Sequence, residues 1–262
     1  MRIALHGATG RMGKALVRLI AAESDLELVG AACAPNDALL GHDVGQLAGV
    51  GALGVHATAD VPAALLGADM VIDFSVASAL PPLLNAATRA KIALVSGTTG
   101  LDASDVAALE QAARLIPILW APNTSVGVQV LAEIVEQAVR RLGAGYDVEI
   151  VEVHHRHKID APSGTAKRLA EAVQEARPEL HPLHGRHGVV GARSADEMAV
   201  LAVRGGDVIG DHTVHLLGTG ERLELTHRAT SRDLFATGVL RAVRYLAGKP
   251  AGRLYRIADL LG

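Results

Sequence analysis

The sequence predicts an α/β protein of two domains, a parallel-sheet domain first and an α+β domain after it. Short apolar runs alternate with helical-period segments as far as Trp120, which is the rhythm of βαβ units. A glycine-rich turn follows the first of those runs. After Asn123 the pattern changes to longer amphipathic helices and longer strand-like segments. With 262 residues, half of them apolar, the chain can bury cores for one large domain or two smaller ones without disulfide or metal staples.

In chain order, Ile3 to Leu5, Leu26 to Ala32, Val55 to Thr58, Met70 to Phe74, Ile92 to Ser96 and Ile118 to Trp120 read as strands. Between the first two, Met12, Ala15, Leu16, Leu19 and Ile20 recur at helical spacing and make one apolar face. Asp102 or Ser104 suits the N-cap of a helix running towards Leu115. A helix from Val126 to about Leu142 precedes a strand from Asp147 to His154, and another helix opens at Ser163. Ala199 to Arg204, Val208 to Leu217 and Arg222 to Ala229 are expected to be antiparallel strands. Gly205-Gly206 and Gly218-Thr219-Gly220 between them carry hairpin-type turn signals. Pro178 to Glu197 lacks periodicity and reads as an exposed, mobile loop. Helical spacing returns from Leu234 to Leu246, and this tail is expected to pack on the first domain. The expected division is therefore 1–125 with 234–262, and 126–233.

Composition narrows the function. A formal charge of -3, from 25 basic and 28 acidic residues, gives no cationic surface for nucleic acid. Cys33 is the single cysteine, which excludes a disulfide framework and fits a reducing cytoplasm. The chain enters its glycine motif within a few residues of Met1, leaving no space for a signal peptide, and no uncharged apolar stretch approaches the roughly 18 residues of a membrane span. A cytoplasmic protein without membrane partners is expected.

Gly7-Ala8-Thr9-Gly10-Arg11-Met12-Gly13 lies between the first strand and the first helix, where backbone amides can approach a pyrophosphate at the positive helix end. A ribose-reading acid belongs roughly twenty residues further on, at the end of the second strand. Cys33-Ala34 stands there instead, and Asp37 is the nearest carboxylate. Arg11 is placed to reach a 2′-phosphate, so both NADPH and NADH are expected cofactors. Gly97-Thr98-Thr99 and Ala121-Pro122-Asn123-Thr124 follow later strands at the sheet edge where such folds bind ligands, and their hydroxyls and amides suit a nicotinamide carboxamide.

The densest chemistry is Glu152-Val153-His154-His155-Arg156-His157-Lys158-Ile159-Asp160-Ala161-Pro162-Ser163-Gly164-Thr165-Ala166. It begins at a strand end and finishes on a helix start that Ser163 can cap, leaving the amides of Gly164 and Thr165 for a small carboxylate. His155 and Lys158 can neutralise substrate charge, and His154 or Lys158 can move a proton. A metal reading is weaker, because adjacent side chains of a strand point to opposite faces. A covalent aldehyde dehydrogenase would need a catalytic thiol, and Cys33 sits near the adenosine end. A nucleotide-sensing protein without turnover is the remaining alternative.

Together the GATGRMG turn, Gly97-Thr98-Thr99-Gly100, Asn123-Thr124-Ser125-Val126-Gly127-Val128, the run from His154 to Ala166 and Gly220-Glu221-Arg222-Leu223-Glu224-Leu225-Thr226-His227 resemble the dihydrodipicolinate reductase family. The resemblance covers nearly the whole chain. It implies a Rossmann-like nucleotide domain, a substrate domain with an open mixed sheet, a homotetramer, and NAD(P)H-dependent reduction of a small dicarboxylate cyclic imine in lysine biosynthesis. Under it His154 and Lys158 are proton-transfer residues, and His155, Gly164 and Thr165 bind substrate. Gly7 to Met12, Gly97 to Thr99 and Ala121 to Thr124 hold the cofactor. Cys33-Ala34 departs from the acidic residue common in the family, which leaves the nucleotide preference open.

Overall fold

A computed structural model describes residues 1–262, which divide into two compact units, 1–124 with 233–262, and 125–232. In the first unit, strands β1 (Arg2–His6), β2 (Glu27–Ala32), β3 (Ala57–Thr58), β4 (Met70–Asp73), β5 (Ala93–Ser96) and β6 (Ile118–Trp120) alternate with helices. Those helices are α1 (Arg11–Ala22), α2 (Val44–Ala48), α3 (Val61–Ala64), α4 (Leu80–Ala90) and α5 (Ala103–Ala112). The sheet order is β12-β6-β5-β4-β1-β2-β3, all parallel, with β12 (Leu254–Tyr255) on the far edge. The chain winds outward from β1 through β2 and β3, then returns to β4 on the other side of β1. That reversal is the switch point at which doubly wound sheets bind ligands.

Side-chain alternation decides which helix covers which face. Ile3, Leu5, Met70, Ile72, Val95 and Leu119 share a buried cluster with α1 and with α8 (Asp233–Leu246). Ala4, Val71, Leu94 and Ile118 pack instead with Leu80, Leu83 and Leu109 of α4 and α5. Helix α8 therefore belongs to the first core, as its periodicity leads one to expect. Asp102, not Ser104, caps α5, and it does so in a reciprocal capping box with Asp105.

In the second unit, helices α6 (Val126–Leu142) and α7 (Gly164–Ala176) cover one face of a five-stranded sheet ordered β11-β10-β7-β9-β8. Its strands are β7 (Asp147–His154), β8 (His181–Leu183), β9 (Glu197–Arg204), β10 (Gly210–Leu217) and β11 (Arg222–Ala229). The expectation of a purely antiparallel set is corrected here. β10 pairs antiparallel with β7 and β11, whereas β9 runs parallel to β7 and to β8. Gly218 to Gly220 closes a true hairpin, with the Gly218 amide donating to the Glu221 carbonyl. Gly205-Gly206 does not: β9 and β10 lie on opposite sides of β7, so this turn carries the chain across the end of that strand. Its local chemistry is that of a tight turn either way, and only the strand order distinguishes the two.

The stretch from Pro178 to Glu197 also differs from a featureless loop. It contributes the short edge strand β8, and although most of its side chains are exposed it is pinned at two points. Arg193 reaches Glu149 and Asp147 at 2.8 Å each, and Arg186 pairs with Glu197. No helix is long and apolar enough to cross a membrane.

Candidate active site

In the first unit the parallel ladder continues past the strand ends, where Phe74, Gly97 and Ala121 donate their amides to the carbonyls of His6, Asp73 and Ser96 at 2.9–3.0 Å. The loops after β1, β4, β5 and β6 thus leave from one edge of the sheet. Gly7 turns there with φ of +81°, and a Cβ on it would stand 2.3 Å from the Phe74 carbonyl oxygen, so both conformation and space require glycine. Helix α1 begins immediately afterwards with Gly10 as its N-cap and no side chain capping its first amides. By contrast, Ser125 and Ser163 satisfy such amides at α6 and α7. An uncapped 12-residue helix at the switch point of a parallel sheet fits a pyrophosphate, and Gly10, whose added Cβ would meet only the Gly7 oxygen at 3.3 Å, leaves backbone open to it.

Beneath these loops lies a carboxylate that sequence reasoning does not single out. Asp73 is fully buried at the end of β4 and accepts from His6 Nδ1 (2.8 Å), Ser75 Oγ (2.6 Å), Ser96 Oγ (2.8 Å) and Thr98 Oγ1 (2.7 Å). Burial alone would raise its pKa, but the His6 pairing and the hydroxyl donors outweigh that and hold it below the usual carboxylate value. It ties the loops after β1, β4 and β5 together. Two hydroxyls expected to meet the cofactor are consequently turned inward. Thr98 Oγ1 serves Asp73, and Thr124 Oγ1 donates to the Phe235 carbonyl at 2.8 Å, so these residues can offer a nucleotide only backbone. Thr99, Pro122 and Arg11 are exposed at the same edge. Beyond β2, Asp37 stands beside the glycine turn, where Thr9 Oγ1 donates to it at 2.5 Å and the Leu39 amide at 2.9 Å. The carboxylate missing at Cys33-Ala34 is thus supplied a few residues later.

The second unit gathers its chemistry where β7 meets the start of α7. Glu152 and His154 share the helix-covered face of β7, and His154 Nδ1 donates to Glu152 Oε2 at 2.5 Å. Arg204, from the end of β9, holds both oxygens of Glu152 at 2.7 and 2.8 Å, and the Ser163 amide donates to Oε1 at 3.0 Å. Ser163 Oγ accepts from the Ala166 amide as the N-cap of α7 and shares a 3.0 Å hydrogen bond with Nε2 of His212 on β10. The His212 ring stands edge-on to His154 with centroids 5.1 Å apart. Burial, with a smaller push from His154, takes the His212 pKa down to about 3, and its Nδ1 finds no partner in the protein. That ring is neutral at pH 7.

Gly164 and Thr165 form the first turn of the 13-residue helix α7, whose N-terminal dipole faces this sheet end. Lys158 is not the lone cation that its motif suggests, since Asp160 accepts from it at 2.6 Å. Partial desolvation first, then the positive charge of Arg232, pushes the His155 pKa down, so its imidazole gains a proton readily only once an anion arrives. The structure thus brings His154, Ser163 and the α7 terminus together directly. It adds Glu152, Arg204 and His212, of which only Glu152, two residues before His154, has a positional signal in the sequence.

Comparison with known proteins points the same way for both units. The family model described as dihydrodipicolinate reductase, N-terminus, matches residues 1–124, and the one described as dihydrodipicolinate reductase, C-terminus, matches 127–261. A 4-hydroxy-tetrahydrodipicolinate reductase of Anaeromyxobacter dehalogenans is 48% identical over 264 residues, covering 100% of this chain and 97% of the relative. One from Myxococcus xanthus is 46% identical over 266 residues, with coverage of 100% and 98%. Among solved structures, a dipicolinate-bound dihydrodipicolinate reductase from Paenisporosarcina sp. TG-14 superposes with a TM-score of 0.77 at 22% identity, covering 98% of this chain and 97% of that one. With both halves matched, and with relatives nearly half identical from end to end, the chain belongs to the dihydrodipicolinate reductase family.

Proposed function

We propose that the chain reduces 4-hydroxy-tetrahydrodipicolinate to tetrahydrodipicolinate with release of water, binding NADH or NADPH on its first unit and the dicarboxylate on its second. Family membership makes it an NAD(P)H-dependent reductase of the diaminopimelate and lysine route. The site roles rest on one observation above the others: a buried Glu152–His154 pair adjoins the N-terminal turn of α7. A nucleotide-sensing protein has no use for a proton donor beside a carboxylate-binding terminus.

Gly7, Ala8, Thr9, Gly10, Arg11 and Met12 would hold the pyrophosphate at α1, and Gly97 to Thr99 with Ala121 to Thr124 would present backbone to the nicotinamide end. Bound nucleotide supplies hydride. The amides of Gly164 and Thr165 and the His155 ring would take the substrate carboxylates, with the α7 dipole favouring their charge. Because Nδ1 of His154 is engaged by Glu152, Nε2 is the nitrogen that meets substrate and gives the proton accompanying hydride addition. Lys158, released from Asp160 by the competing anion, would supply the second proton as the hydroxyl leaves as water. Hydride, one proton and substrate account for the reduced product, oxidised nucleotide and water.

The test is a steady-state assay with freshly generated substrate and each nucleotide in parallel. His154→Ala or Lys158→Ala should lower kcat by roughly 10²- to 10⁴-fold, with nucleotide binding by calorimetry unchanged. Pyridine-2,6-dicarboxylate, of the class named in the Paenisporosarcina structure, should compete with substrate. Folded variants with wild-type turnover would overturn the assignment.

A homotetramer and a cytoplasmic location complete the reading. The sheet face opposite α6 and α7 carries Val151, Leu201, Val203 and Leu217 without a helical cover, and Val203 is 47% exposed. Such a face suits sheet-to-sheet association, and sedimentation analysis would reveal a monomer if it does not form. The single, buried Cys33 suits a reducing compartment.

A further inference from the structure

The most enclosed charge in the second unit is the Glu152 carboxylate, fully buried at the end of β7. Three elements converge on it: His154 from the same strand, the Arg204 guanidinium from β9 and the Ser163 amide from the turn that opens α7. We propose that Glu152 is the positioning residue of proton transfer, holding His154 by Nδ1 with Nε2 presented to substrate while its other oxygen seats the anion-binding turn of α7. The inference rests on the role given to His154 above and names what makes that role possible.

The geometry argues for more than packing. A histidine ring can rotate about its χ2 bond and can carry its proton on either nitrogen. A carboxylate 2.5 Å from Nδ1 fixes both choices and stabilises the imidazolium form. The carboxylate must stay ionised to do so. Burial opposes that, but the Arg204 pair, the His154 pair and the Ser163 amide outweigh it and hold Glu152 below its usual pKa. Arg204 also means that the buried charge is compensated when His154 is neutral, so the histidine can change protonation without leaving an unpaired carboxylate. Because Oε1 accepts from Ser163 while Oε2 accepts from His154, one rigid group sets the spacing between proton donor and carboxylate pocket. The other titratable or charged groups near His154 are His212 on β10, His227 on β11, and His155, Lys158 and Asp160 on the loop after β7. None of them is a carboxylate bonded to the ring.

Glu152→Gln in the full-length chain keeps the shape and removes the charge. Steady-state kinetics should show kcat falling by roughly 10²-fold or more, as when a histidine loses its orienting carboxylate. The limb of the kcat–pH profile belonging to His154, and its imidazole pKa followed by nitrogen NMR, should both move to lower pH. Nucleotide affinity by calorimetry should not change. A residue that only stabilised the fold would lower the unfolding free energy and leave the imidazole pKa in place. If Glu152→Gln leaves Arg204 uncompensated and the chain fails to fold, a Glu152→Gln, Arg204→Gln double variant removes both charges and is read in the same way. A folded variant with wild-type kcat and an unmoved imidazole pKa would overturn the proposal. Loss of activity in His154→Ala alongside such a result would overturn it alone, whereas full activity in His154→Ala would overturn the role of His154 itself.

Discussion

His212 should make the second unit lose stability in mild acid. The ring is 3% exposed, and burial takes its pKa from 6.5 to about 3. As pH falls below 6.5, the unfolded chain binds a proton at this residue that the folded chain does not accept until about pH 3. The stabilisation is therefore complete above the unfolded value and is lost progressively on acidification through that window. One pH unit of such mismatch corresponds to about 1.4 kcal/mol, so lowering pH from 7 to 5 should cost about 2 kcal/mol through His212 alone. Other histidines titrate over the same range, and the comparison needed is with His212→Gln. Glutamine spans a similar length, keeps a hydrogen-bonding group for Ser163 Oγ and does not titrate. Hydrogen exchange of the β7 and β10 amides, measured at several pH values, reports the opening free energy of this unit. Wild type should lose about 2 kcal/mol more than His212→Gln between pH 7 and 5. Parallel curves for the two proteins would show that the folded state takes up the proton freely, and would refute the reasoning from burial.

Three substitutions probe the remaining geometry. Gly10→Val should leave the fold intact, because an added Cβ meets only one oxygen at 3.3 Å, yet it should raise the dissociation constants of both nucleotides in calorimetry by blocking approach to the α1 amides. Arg11→Ala, at the exposed first position of α1, should weaken NADPH more than NADH, and equal losses would place its effect on the shared pyrophosphate. Gly210→Ala puts a methyl group 3.0 Å from His154 Nε2, and should lower kcat while nucleotide affinity is kept; unchanged turnover would mean that the ring shifts aside without consequence.

Much of the first unit is legible in the sequence because its information is local. The glycine turn, the helix beginning at Arg11 and the strands centred on Leu5, Ile72 and Leu94 each follow from period and turn chemistry within a short window. Helix α8 is recognisable for the same reason. What the windows do not contain is strand order. Gly205-Gly206 has the composition of a hairpin turn, and nothing within that segment says that β9 and β10 flank β7 rather than each other. The mixed character of the second sheet accordingly follows from family resemblance and not from periodicity.

The same distinction separates the site residues that sequence reasoning reaches from those it misses. His154, Lys158, Ser163 and Gly164 fall in one continuous run whose residue types announce charge, proton transfer and a capped helix. Arg204 and His212 act on the same few ångströms but arrive from strands about fifty residues downstream, as their separations from Glu152 and Ser163 of 52 and 49 positions record. Thr98 and Thr124 show the converse. Their hydroxyls suggest ligand contact, yet both are spent inside the protein, on Asp73 and on the Phe235 carbonyl. A hydroxyl near a binding loop is as useful for fixing the loop as for touching the ligand, and burial is what decides between them: each of these threonines is only 2% exposed. Glu152 is the intermediate case. Period two places it on the face of His154, so a carboxylate two residues ahead of a candidate proton donor on a strand is a signal that the amino-acid sequence itself carries.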